Sequence, residues 1–143
     1  MMTMMMMMTM TLRRLQRVQD AAARLLCREP PRTHARPLLK QLHWLSVSSR
    51  FQFKLCTLMF DVYHGTALSY ITELCRRFHD TQHRSTARGD YAVPTTRRHF
   101  VDKSFAVARP TAWNSLLQSV RKVKSKQTFR RYLKTFLFTQ CFE

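Results

Sequence analysis

Cys75, His79 and His83 recur at four-residue intervals, so on a helix all three would lie along one face. Cysteine and histidine are zinc ligands, and two of them one turn apart can share an ion. Three in succession span about 12 Å, too far for one tetrahedral centre. A zinc site would therefore need two of the three plus His64 or Cys56. The competing reading, one buried cysteine and two surface histidines, needs no metal and is favoured. His99, Asp102 and Ser104 are close along the chain, but proximity in sequence is not the geometry of a catalytic triad. No motif marks a Cys–His nucleophilic pair. The expectation is a protein that is not an enzyme, with no cofactor and no metal.

Charge offers more. The 143 residues carry 25 Lys and Arg against 8 Asp and Glu, a net charge of +17. Such a field attracts polyanions without choosing among them, and nucleic acid is the commonest. The imbalance peaks after Asp102, beyond which no acid occurs until Glu143. Three groups are candidates for phosphate contact. They are Arg13, Arg14 and Arg17 on a first helix; Arg97 and Arg98 in a polar stretch; and Arg121, Lys122, Lys124, Lys126, Arg130, Arg131 and Lys134 near the C-terminus. If about six phosphates were neutralised, affinity would fall roughly a thousandfold between 50 and 200 mM salt. Nothing supports base-specific reading.

The elements that must carry these residues are mostly helical. Leu12, Leu15, Val18, Ala22, Leu25 and Leu26 recur at helical spacing, with Thr11 as cap and Pro30-Pro31 as stop. A short helix is expected from Pro37 to Leu42, with Pro37 in its first turn. Ser46 or Ser48 then caps a helix whose apolar stripe is Phe51, Leu55, Leu58, Met59 and Val62, closed by Gly65. Tyr70, Ile71, Leu74 and Phe78 mark another. Residues 80–103 turn polar around a β-like YAVP, and KSFAVAR alternates as a strand would. Two basic helices follow, one after Pro110 through Trp113, Leu116 and Leu117, the other bearing Phe129, Leu133, Phe136 and Leu137.

The stretch HWLSVSSRFQFKL mixes bases and aromatics, as a nucleic-acid grip would. Phe51 falls on the apolar stripe, however, and Trp44 sits where a hydrophobic staple belongs. Core-building is the favoured reading, with Phe53 the best candidate for an exposed ring. The leader MMTMMMMMTM has no period and is expected to be disordered; it resembles the product of a trinucleotide repeat. Copper binding through its methionines is disfavoured, because no His or Cys assists. The four cysteines, Cys27, Cys56, Cys75 and Cys141, form no CxxC pair, and reduced thiols inside a cell are the natural reading. No secretory signal and no membrane span are expected.

Several blocks, taken in order, resemble the C-terminal region of reverse transcriptases from LINE-type (non-LTR, jockey-like) retrotransposons. They are LQRVQDAAARLL at 15–26, the block from His34 through PLLKQLHWL to 45, RFQFKL at 50–55, YHG at 63–65, SFAVARPTAWNSL at 104–116 and FRRYLKTFLF at 129–138. Together they span nearly everything after residue 11. In that family this region lies beyond the polymerase palm and thumb. The family's RNA-templated DNA synthesis requires a close pair of aspartates for two metal ions. Here Asp20, Asp61, Asp80, Asp90 and Asp102 are nowhere adjacent, so the resemblance implies a fragment without catalysis. Where the family usually has proline this chain has Ser46, Leu68, Ser69 and Leu117, each one C-to-T change from a proline codon. Lost prolines loosen turns by a few tenths to about 1 kcal/mol each, a pattern of decay.

The expected architecture is mainly α, five or six short helices with a small β or irregular insert at about 84–108. A disordered leader over 1–10 precedes a single basic helical domain over 11–143. The expected function is that of a retrotransposon polymerase tail binding RNA or DNA without sequence preference in nucleus or cytoplasm, or a decayed copy without function. The alternative is a small basic mitochondrial or ribosome-associated protein, for which the arginine-bearing first helix would serve as presequence.

Overall fold

The computed structural model describes residues 2–73, 75, 89–93 and 105–143, with side chains from residue 10 onward except at 105 and 106. Among these residues the fold is all helical. Its elements are α1 (Met2–Cys27), α2 (Ala35–Gln41), α3 (Val47–Tyr63), α4 (Ser69–Glu73), α5 (Phe105–Asn114), α6 (Gln118–Arg121) and α7 (Lys126–Phe142). The mainly α expectation holds. The chain divides into two compact units, one of Met1–Phe51 with Lys134–Glu143, the other of Gln52–Leu133.

In the first unit, α1 runs back to Met2, past the Thr11 cap and through the Met-rich leader for which disorder was expected. Methionine is unbranched and a good helix former, so the run can propagate the helix it precedes. The face that α1 buries also differs from the expected stripe. Gln19 and Ala23 are buried, Gln16 and Cys27 half-buried, while Leu15, Val18, Leu25 and Leu26 are exposed. Ala23 packs with Leu38 and Leu39 of α2, and Cys27, Leu42, Trp44 and Phe142 close over them. The small side chain at 23 permits a close approach that a leucine there would block.

Two glutamines explain why a polar face goes inward. Gln19 Nε2 donates to the Leu45 carbonyl at 2.8 Å, and the Val47 amide donates to Gln16 Oε1 at 2.9 Å. Val47 opens α3, so its amide is one of the donors a helix start leaves unpaired. Ser46 caps the same end, accepting from the Ser49 amide at 3.3 Å. Truncating Gln19 to alanine leaves the Leu45 carbonyl without this donor. We expect a loss of about 1–3 kcal/mol, read as a lower urea midpoint at unchanged slope.

Helix ends follow local rules. At Gly65, φ is +71°; its amide donates to Val62 and that of Thr66 to Asp61, the paired closure of a Schellman motif. Arg28 and His43 hold the same left-handed conformation without being glycine, at φ of 56° and 52°. Leu117 precedes α6 with φ of −59°, the value proline imposes. Leu117→Pro is expected to stabilise the chain by about 0.4–1 kcal/mol, measured as a raised thermal midpoint.

The second unit is built around Trp113 of α5, which is fully buried. Its indole Nε1 donates to the Gly89 carbonyl at 3.2 Å, and its ring lies 5.4 Å from Tyr63 and 6.0 Å from Phe129. Phe129 in turn stacks on Phe60 at 4.5 Å. Asn114 grips the backbone of Tyr91 at both ends, accepting from its amide at 3.0 Å and donating to its carbonyl at 2.9 Å. A Cβ at Gly89 would stand 3.1 Å from the Tyr63 ring, and φ there is +69°. Glycine is therefore what lets this segment pass.

Three local expectations are corrected here. KSFAVAR does not extend as a strand, since α5 begins at Phe105 and contains Pro110. Val107, Pro110 and Trp113 are buried at three-residue intervals, a helical spacing that the short alternation hid. The proposed insert at 84–108 is thus helical from 105; 89–93 is irregular, and the remainder lies outside the described residues. On α3, Phe51 is exposed and Leu55 and Leu58 only half-buried. Met59 and Val62 of that stripe are buried as expected, and Cys56 and Phe60, the latter stacked on Phe129, join them in the core. The stripe of α7 is as expected in Phe129, Leu133 and Leu137, all buried. Of the two apolar residues placed after Trp113, Leu116 is buried and Leu117 exposed.

Burial pushes the Cys56 thiol up from 9.0 to about 12. A raised pKa means the folded state holds its proton longer than the unfolded chain does. That contribution to stability is complete below about pH 9 and is lost as pH rises through 12. The difference in unfolding free energy between the parent and Cys56→Ala should accordingly shrink across this window.

Candidate nucleic-acid interface

In the second unit the C-terminal basic residues divide by role. Arg121, the last residue of α6, is buried and paired with Asp90. It was expected to meet phosphate, and the structure corrects this. Hydrophobic neighbours at Val120 and Leu116 draw that turn inward, and Asp90 supplies the counter-charge. Lys126 opens α7 and donates to Asp61 at 2.8 Å, though its own side chain is half-exposed at 52%. Lys122, Lys124, Arg130 and Arg131 are exposed. The Arg130 guanidinium lies 5.8 Å from the centre of the Phe53 ring, a cation–π contact worth about 0.5–1 kcal/mol at an exposed site. Phe53, expected as the best candidate for an exposed ring, is half-buried and lies beneath this arginine. Lys134 of α7, which belongs to the first unit, is also exposed.

Their arrangement follows from the stripe of α7. Burial of Phe129, Leu133 and Leu137 fixes the rotation of the helix, and Arg130, Arg131 and Lys134 are left facing water. Lys122 and Lys124 sit in the connection from α6 to α7, where no side chain must be buried. Every residue from 103 to 142 is neutral or basic, so no acid in this stretch offsets the field.

In the first unit Arg13, Arg14 and Arg17 are exposed on α1. Arg24 is not equivalent to them, because its Nε donates to the Thr33 carbonyl at 2.8 Å and closes the turn after α1. Arg50, exposed and 5.9 Å from the Trp44 ring centre, adds a cation that the sequence did not single out. It sits beside the exposed Phe51. Arg97 and Arg98 lie outside the described residues.

Several carboxylates already have partners. Asp20 accepts from Gln16 at 2.8 Å, Asp61 from Lys126 and Asp90 from Arg121; Asp80 and Asp102 lie outside the described residues. Among the described residues, no three His, Cys, Asp or Glu side chains gather as a metal site. Of the zinc candidates, His79 and His83 are outside that set. Cys75 instead accepts from the buried Arg109 at 3.2 Å and donates to the Met59 sulfur at 3.8 Å. Burial raises the Cys75 thiol pKa, and Arg109 partly offsets the rise. Among the described residues, no helix is long and apolar enough to cross a membrane. No protein-family model, curated protein or solved structure matches this chain.

Proposed function

We propose that this protein binds RNA or DNA through backbone phosphates, without reading sequence and without catalysis. The observation that carries the reading is the exposed set Lys122, Lys124, Arg130, Arg131 and Lys134, with no acid anywhere between 103 and 142. Lysine and arginine on a solvated helix face and its leading connection can follow a phosphate backbone. The affinity of such a surface would be set by charge. Arg13, Arg14 and Arg17 form a second basic surface on α1.

The test is fluorescence anisotropy with three unrelated single-stranded RNAs and their duplex DNA counterparts in dilute buffer. Affinities agreeing within each class are expected. Failure to bind any of them, or extension of an annealed primer by the protein alone, would contradict the reading.

The chain's origin is proposed on the resemblance to LINE-type polymerase tails. It is supported by where the shared blocks fall. Gln16 and Gln19 of QRVQ and Trp113 and Asn114 of AWNSL make the hydrogen bonds that pin each unit's loops. Retention of such blocks is what a fold needs even after an active site is gone. An intact polymerase palm encoded in frame upstream of Met1 would refute the reading of a decayed, stand-alone remnant.

A further inference from the structure

Among the described residues, α1 carries five large hydrophobic side chains exposed to solvent. Leu25 is 80% exposed, Val18 68%, Leu26 62%, and Met10 and Leu15 46% each. Leu15, Val18, Ala22 and Leu25 are spaced by three, four and three residues, the seam of a heptad repeat. At about 3.6 residues per turn, this seam lies between two other faces of the same helix. On one side Gln16, Gln19 and Ala23 are held by the chain's own fold. On the other, Arg14 borders the seam and Arg17 stands just beyond it, both exposed. The helix's one acid in this region, Asp20, accepts from Gln16 on the far side.

We propose that α1 is a docking surface for an amphipathic helix of another protein, one whose apolar seam is bordered by acidic residues. The three-four spacing fits a single helix laid along α1, with leucines interleaving and carboxylates reaching Arg14 and Arg17. A second copy of this chain fits worse. Pairing along the seam would bring Arg14 and Arg17 of both copies to one interface, and both molecules carry a net charge of +17. A lipid surface also fits worse, because only about a third of the helix circumference is free and apolar, the rest being packed or charged. An interfacial helix buries a broader face than that.

The probe is a synthetic four-heptad peptide with leucine at the seam and glutamate at the flanking positions, titrated against the full chain by anisotropy. Binding is expected in the micromolar range. Val18→Asp and Leu25→Asp should each weaken it about tenfold or more, as loss of one buried aliphatic contact implies. Both residues are exposed, so each variant should keep the parent's circular dichroism and its affinity for RNA. Arg14→Glu with Arg17→Glu should reject this peptide and accept one with lysine at the flanking positions. The proposal is overturned if the parent binds the lysine peptide equally well or binds neither. It is also overturned if Val18→Asp instead abolishes a dimer seen by sedimentation, or abolishes capture on vesicles of phosphatidylcholine and phosphatidylserine. Since RNA binding is read separately, loss of one property leaves the other standing.

Discussion

Lys122→Gln, Lys124→Gln, Arg130→Gln and Lys134→Gln, combined in one chain, should weaken duplex DNA binding by about a hundredfold or more at 50 mM salt. The four side chains are exposed, so their replacement removes charge without opening the core. Each phosphate contact on B-DNA contributes about −0.9 to the slope of log affinity against log salt. Removing four of five should flatten that slope by roughly 3.6. The control is Arg121→Gln, at a position that sequence reading would have put in the same set. Because Arg121 is buried against Asp90, its replacement should lower stability and leave the salt slope unchanged. A thermal melt beside each binding curve separates the two effects.

Asp90→Ala should cost about 3–5 kcal/mol, enough to unfold a marginal domain. Arg121 is 7% exposed, and its Nε has no hydrogen-bond partner, so the guanidinium depends on Asp90 for its compensation. Deleting the carboxylate strands a cation among Val120, Leu116 and their neighbours, which is far more costly than losing a surface pair. Replacing both partners with apolar residues of similar volume should recover most of the loss. That recovery in the double variant, measured by urea denaturation, distinguishes a stranded charge from general damage to the segment that Trp113 and Asn114 hold. High salt should change the Asp90→Ala defect little, since a buried pair is weakly screened.

The sequence made some faces legible and concealed others for identifiable reasons. On α7, strong hydrophobes at 129, 133 and 137 left one way to turn the helix, and burial followed. On α1 the strongest apolar residues are outside, because inward-facing glutamines make hydrogen bonds that hydrophobic periodicity cannot see. The small Ala23 then brings α2 closer than a larger side chain would allow. The same blindness affects charge. Arg121 read as a phosphate contact and Arg109 was not singled out, yet both are buried, Arg109 donating to Cys75 and Arg121 paired with Asp90. Neither partner is near in sequence. The exposed remainder of the C-terminal cluster was readable because a run without acids has no local counter-charge to bury it. Phe53 was misjudged because a ring off the stripe still has a use, as a platform for Arg130.

The central claim is that binding comes from the exposed cations of residues 122–134 meeting phosphates. Its most direct test is the affinity for one mixed-sequence DNA duplex measured from 50 to 200 mM salt. Five contacts predict a log–log slope near −4.5 and a loss of roughly 500-fold across that range. A slope near zero, or an equal slope in the quadruple glutamine variant, would contradict it.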